Sequence, residues 1–281
     1  MTSRLTRTAG IVLAGALGLA ALAYAGVLTW FYFHQDDLLY PAQRDDTPPS
    51  AKGLADFTGV RIKTPDGETL AAWWAPPPPG AGVVLYLHGQ LGSLGSQNYI
   101  ATRARDLAAA GFGVLAIDYR GFGGSTGRPS EAGLITDARA AYDFIRMETP
   151  AAPIALFGTS LGTGVAVALA AQTQEKGVIL DSPFSSALHV AQERYPWLPA
   201  SMLMRDTWDS AARIGAADSP LLLIHCDTDR TVPFAEGAAL FAAAHDPKTM
   251  IVLQGCAHIE IWDQATREKI LETLRAWFAP A

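Results

Sequence analysis

Two cysteines among 281 residues are too few for a disulfide scaffold or a zinc ribbon. Charge is sparse as well: Asp, Glu, Lys and Arg make up 17% of the chain, and the net charge is -6. Lysine and arginine form no cluster, which excludes the basic surface that a phosphate backbone needs. No internal repeat recurs. The only biased stretch is the proline run 76–79, whose missing N–H groups make it a stiff loop. Hydrophobic residues reach 49%, so the core-poor composition of a disordered chain is absent too. The length suits one large domain.

Charge is missing altogether from 9–33, where Thr29 is the one clearly polar side chain. A helix of that length spans a hydrocarbon layer of about 30 Å. Arg4 and Arg7 precede it, while Asp36, Asp37, Asp45 and Asp46 follow. The positive-inside bias then leaves residues 1–8 in the cytoplasm and the rest outside. Trp30, Phe31 and Tyr32 end the run as an interfacial aromatic belt. The competing reading is a cleaved signal peptide, since Ala23-Tyr24-Ala25 has the small-x-small form of a cleavage site. The apolar run continues past that site, which favours a retained anchor. Either way the folded domain leaves the cytoplasm.

Residues 34–58, with Pro41, Pro48 and Pro49, read as a connector. Two β-prone runs, 60–63 and 70–74, flank Pro65-Asp66-Gly67 and predict a hairpin. From there short apolar runs at 83–87, 114–117, 154–157, 178–180, 221–224 and 250–253 alternate with amphipathic stretches at 100–110, 131–147, 161–171, 234–244 and 261–278. That alternation predicts an α/β domain over 59–281: a mostly parallel sheet with helices on both faces. Residues 185–214 interrupt it and are expected to form a small helical cap.

Within this frame Gly158-Thr159-Ser160-Leu161-Gly162 follows a strand and opens a helix, the setting in which a G-x-S-x-G pattern forms a nucleophile elbow. The turn is so tight that its flanks must be glycine. A serine hydroxyl needs a base. Of six histidines, His258 follows the last strand, where the chain order Ser, Asp, His puts it. The acid is expected after the preceding strand, where Asp229 is favoured and Asp227 is the alternative. A cap on the next helix is the plainer role for either. Two backbone N–H groups would bind the oxyanion. One is Leu161, after the nucleophile. The other lies in His88-Gly89-Gln90-Leu91-Gly92, with Gln90 favoured over Leu91. Asp181 is either a reserve acid or structural, and Arg120 either an internal ion-pair partner or a substrate clamp. The cap aromatics Tyr195, Trp197 and Trp208 either line an acyl pocket or pack the cap. Cys226 and Cys256 follow neighbouring strands about 4.8 Å apart, so their thiols can meet in a disulfide outside the cytoplasm. They can equally stay as two small buried side chains.

These motifs, with Asp118-Tyr119-Arg120-Gly121-Phe122-Gly123, Asp181-Ser182-Pro183-Phe184 and Asp229 to Pro233, resemble the α/β-hydrolase family. The similarity is strongest to its small membrane-anchored ABHD-like branch with a serine-aminopeptidase-like domain. Asp37-Leu38-Leu39-Tyr40-Pro41 and Tyr195-Pro196-Trp197-Leu198-Pro199 resemble that branch as well. The resemblance implies the triad Ser160, Asp229 and His258 and an ester-type substrate. The chain departs from the branch at Gln90-Leu91, where Asn-Ala is common, and at Cys226, where Gly is usual. The expectation is a membrane-anchored serine hydrolase of carboxylic esters or thioesters, acting on a small-molecule or lipid-like acyl substrate without metal or organic cofactor. A peptidase or acyltransferase of the same fold and a non-catalytic anchored scaffold are the alternatives.

Overall fold

In the computed structural model, which describes residues 2–280 with side chains from Arg7 onward, the β-prone runs become β1 (Thr58–Lys63), β2 (Thr69–Ala75), β3 (Val83–Leu87), β4 (Gly113–Ile117), β5 (Ile154–Thr159), β6 (Val178–Asp181), β7 (Leu221–Cys226) and β8 (Lys248–Leu253). They form one eight-stranded sheet in the order β1-β2-β4-β3-β5-β6-β7-β8. β1 and β2 pair antiparallel, as the hairpin signal predicts, and β2 also runs antiparallel to β4. Every later pair is parallel. Parallel strands need crossovers, and the amphipathic stretches supply them as α2 (Asn98–Ala109), α3 (Glu131–Glu148), α4 (Leu161–Ala170) and α8 (Phe234–Ala243), while α9 (Gln264–Phe278) follows the last strand.

Strand side chains alternate between the two faces, and so two cores form. Leu85 and Leu156 face one core, with Leu134 of α3 and Val165 of α4. Val84, Tyr86 and Phe157 face the other, with Ile100 and Leu107 of α2 and Ile270 and Leu274 of α9. Burial on both faces explains why these strands read as unbroken apolar runs rather than alternating ones.

Residues 185–214 hold three short helices, α5 (Ala187–Arg194), α6 (Ala200–Leu203) and α7 (Ser210–Ile214), where the cap was expected. Most boundaries shift by one or two residues from the sequence reading, and two helices differ by more. The last helix begins at Gln264 rather than at 261, because the Asp263 carboxylate accepts from the N–H groups of Ala265 and Thr266 and so fixes the N-cap. The N-terminal helix α1 runs from Thr2 to Leu39, past the apolar run and into the segment read as a connector. Its polar end is held by the cap: Gln35 accepts from the Arg205 N–H at 2.8 Å, and Asp36 pairs with the Arg205 guanidinium at 2.7 Å. Within the 33 residues Arg7–Leu39 an 18-residue window reaches a mean hydropathy of 2.2 and is not buried in the protein. They are long and apolar enough to cross a membrane. The side chain of Arg4 lies outside the described residues.

Candidate active site

Because β5, β7 and β8 run parallel, the loops that follow them open at one edge of the sheet. The first turn carries Ser160. Its φ of 53° and ψ of -118° lie where side-chain-bearing residues are rare. The glycines around it are forced by close approach. A Cβ on Gly162 would lie 2.0 Å from the Leu87 carbonyl oxygen, and one on Gly158 would lie 2.3 Å from the Gly162 oxygen. The Ser160 N–H donates to the Asp181 carbonyl at 2.9 Å, which ties the elbow to β6.

His258 and Asp229 arrive from the other two loops. The Ser160 Oγ lies 2.9 Å from His258 Nε2, and His258 Nδ1 lies 2.7 Å from Asp229 Oδ2. An ionised carboxylate only accepts, so Nδ1 carries the imidazole proton and Nε2 presents its lone pair to the serine hydroxyl. Asp229 is fixed in turn, since its Oδ1 accepts from the N–H groups of Thr231 at 2.8 Å and Val232 at 3.0 Å. Burial would raise the Asp229 carboxyl. Hydrogen bonding from His225 and His258, the charge of His258 and the Val232 N–H outweigh it and hold the group well below the usual carboxylate range. Of the two imidazoles His258 is the tighter partner. His225 Nε2 sits 3.0 Å from the Val232 oxygen but 3.5 Å from Asp229.

Asp227 does something else. Its Oδ1 accepts from the Gly255 N–H at 2.8 Å, which ties the end of β7 to the turn after β8. Thr228 Oγ1 adds a bond to the Cys256 oxygen at 2.7 Å. Cys226 and Cys256 are bonded across the same pair of strand ends, with Cα atoms 5.6 Å apart. Leu161 is the first residue of α4, where backbone N–H groups lack helical partners. Gly89 packs against Ser160: a Cβ there would stand 3.4 Å from the Ser160 Cβ. Gln90 follows it, half-buried.

Several residues outside the predicted set support the loop that carries His258. Ile259, directly after His258, has a φ of 60°, a strained value for a β-branched residue. Its carbonyl accepts from Arg103 Nη2 at 2.9 Å, and its N–H donates to Ser182 Oγ at 3.2 Å. Arg103 is fully buried, and its Nη1 reaches Asp181 Oδ2 at 2.7 Å and Thr159 Oγ1 at 2.8 Å. Its guanidinium lies 5.1 Å from the Tyr99 ring centroid and 5.4 Å from that of Trp262. Asp181 is thus the partner of Arg103. Arg120 bonds Asp137 and Asp66, an internal network. Tyr195 and Trp197 stand edgewise or tilted against Phe31 of α1, and Trp208 is buried with its indole N–H on the Tyr40 hydroxyl.

The family model described as serine aminopeptidase, S33, matches residues 78–203. A protein of unassigned function from Mycobacterium tuberculosis is 37% identical over 246 residues, covering 86% of either chain. The lysophosphatidylserine lipase ABHD12 of Danio rerio is 32% identical over 186 residues, 60% of this chain and 48% of that one. The chain thus spans about half of that lipase. Among solved structures, the esterase Pf2001 of Pyrococcus furiosus superposes with a TM-score of 0.71 at 21% identity, over 85% of this chain and 99% of the other. At that identity the likeness is one of fold.

Proposed function

The chain belongs to the ABHD-like α/β-hydrolases, and on that premise we propose that it is a membrane-anchored serine hydrolase that cleaves carboxylic ester or thioester bonds through an acyl-enzyme. The observation that carries this reading is the unbroken hydrogen-bond chain from Ser160 through His258 to Asp229 on a strained strand-to-helix turn. In the mechanism Ser160 Oγ attacks the acyl carbon as its proton passes to His258 Nε2. The imidazolium is stabilised by Asp229, which keeps its own charge. The N–H groups of Leu161 and Gln90 bind the oxyanion. His258 then returns the proton to the departing alcohol or thiol. Water repeats the sequence, leaving acid and free serine. No cofactor takes part in these steps.

The substrate proposed is an acyl ester with lipid character. The support is the lipase relative together with an apolar helix that would hold the domain at a bilayer. The description of the matched family model favours one second reading, aminopeptide cleavage by the same groups. The test is labelling by a fluorophosphonate probe, followed by a panel of ester, thioester and aminopeptide substrates. Ser160→Ala is expected to remain folded, lose labelling and lose turnover by several orders of magnitude. Undiminished ester turnover in that variant would remove Ser160 from the mechanism. Turnover of aminopeptides alone would favour the second reading.

A further inference from the structure

The cap meets α1 along a line that runs down into the apolar part of the helix. At its polar end are the Arg205–Asp36 pair and the Gln35 side chain, which donates to the Leu203 carbonyl at 3.1 Å. Further down, the Phe31 ring lies 5.9 Å from that of Trp197 and 6.4 Å from that of Tyr195. Further still, the Tyr24 hydroxyl donates to the Trp197 carbonyl at 2.8 Å. At this end of the contact the cap exposes two large side chains, Trp197 at 51% and Tyr195 at 38%.

The helix rise sets the depth of this contact. Tyr24 stands seventeen residues after Arg7, about 26 Å along the axis at about 1.5 Å per residue. The hydrocarbon layer is about 30 Å thick. With Arg7 at one edge of that layer, Tyr24 and the Trp197 carbonyl bound to it lie inside the opposite edge. The polar end agrees. Asp36 is twelve residues beyond Tyr24, about 18 Å, whereas the headgroup region of one leaflet is only about 5–8 Å deep. A tilt of about 20° shortens both distances by only about a twentieth.

Resting on the reading of α1 as a membrane anchor, we propose that the cap tip formed by Tyr195 and Trp197 is a second membrane contact, a surface that dips among the acyl chains of the leaflet on the domain's side. The hydrolase is then seated on the bilayer at two joined points instead of swinging on a tether. Tyr and Trp suit that boundary, with an apolar ring in the chains and a polar group at headgroup level.

Spin labels test this in full-length protein reconstituted into phosphatidylcholine–phosphatidylglycerol vesicles. Labels are placed singly by Trp197→Cys, by Leu17→Cys within α1, and by Met147→Cys at the far end of α3. The unsubstituted chain is the labelling blank. Relaxation by oxygen, which concentrates in lipid, is compared with relaxation by a water-soluble nickel complex. At residue 197 oxygen is expected to exceed nickel several-fold, as at residue 17, while nickel dominates at 147. Nickel dominance at 197 with residue 17 in lipid would overturn the cap contact and leave the anchor standing. A label at 197 reached by neither probe would mean a protein neighbour, such as a second copy, and would also overturn it. Nickel dominance at residue 17 would overturn the anchor itself, and the cap contact with it.

Discussion

Asp229 and Asp227 are two residues apart, yet the structure gives them different partners: the first faces His258 Nδ1 and the second the Gly255 N–H. Asp229→Asn is therefore expected to lower kcat by roughly 10³–10⁴-fold, because an amide no longer selects the imidazole tautomer. Asp227→Asn is expected to stay within about tenfold. Steady-state kinetics on one ester decides, and a reversed ranking moves the acid to Asp227. A pH dependence accompanies this. The folded Asp229 carboxyl sits below its unfolded value of about 3.9. The native state therefore binds fewer protons through this group than the unfolded state, and the contribution rises with pH. It is complete above about pH 4 and is lost progressively below. Urea midpoints at pH 6 and pH 3 are expected to show the advantage of wild type over Asp229→Asn shrinking in acid. A gap that stays constant or widens would contradict the depressed carboxyl. Arg103 acts at one remove from the chemistry. Arg103→Met strands Asp181 as a buried charge and is expected to cost about 3–5 kcal/mol. Adding Asp181→Leu is expected to restore most of that stability but not kcat, because the Ile259 carbonyl still lacks its donor. Full recovery of kcat in the double variant would make Arg103 purely structural.

At the level of elements, the apolar strands were legible almost to the residue, because continuous burial leaves few ways to read runs such as Val83–Leu87. The tight turn at Ser160 was legible through its glycines, and the placing of His258 and Asp229 beside it through chain order. What escaped was set by long-range partners. The polar turn Gln35-Asp36-Asp37 looks like the end of a helix in sequence, yet α1 continues through it because Arg205, 170 residues away from Gln35, supplies the partners. Arg103 did leave a local trace, standing on the buried face of α2 with Ile100, Ala104 and Leu107, where an unpaired cation is not tolerated. Its partner, Asp181, lies 78 residues on and is not written beside it. The pairing of β7 with β8 does bring Cys226 and Cys256 to one edge, as neighbouring strand ends imply. In protein taken from an oxidising compartment, both thiols are expected to resist alkylation until reductant is added, by intact mass. Reduction is expected to cost about 2–4 kcal/mol for a loop of about thirty residues. Two alkylated thiols in unreduced protein would rule the bond out.

The whole molecule has a polarity that two independent features share. Arg7 stands before the apolar span and Asp36 and Asp37 after it, an arrangement for which the positive-inside bias predicts a domain outside the cytoplasm. The cysteine pair across β7 and β8 persists only where thiols are not kept reduced. Either feature alone is weak. Together they predict the same compartment, and the bond from Tyr24 to the Trp197 carbonyl, which cleavage after Ala25 would remove, fits a retained helix. The Met147→Cys variant replaces a side chain that is 72% exposed at the end of α3, far in sequence from α1. In spheroplasts a membrane-impermeant maleimide is expected to label that residue without lysis, on a chain whose intact mass includes α1. Labelling only after lysis would reverse the orientation and would also remove the oxidising surroundings that the disulfide needs. External labelling on a chain shortened at Ala25 would keep the compartment but replace the anchored enzyme with a secreted one.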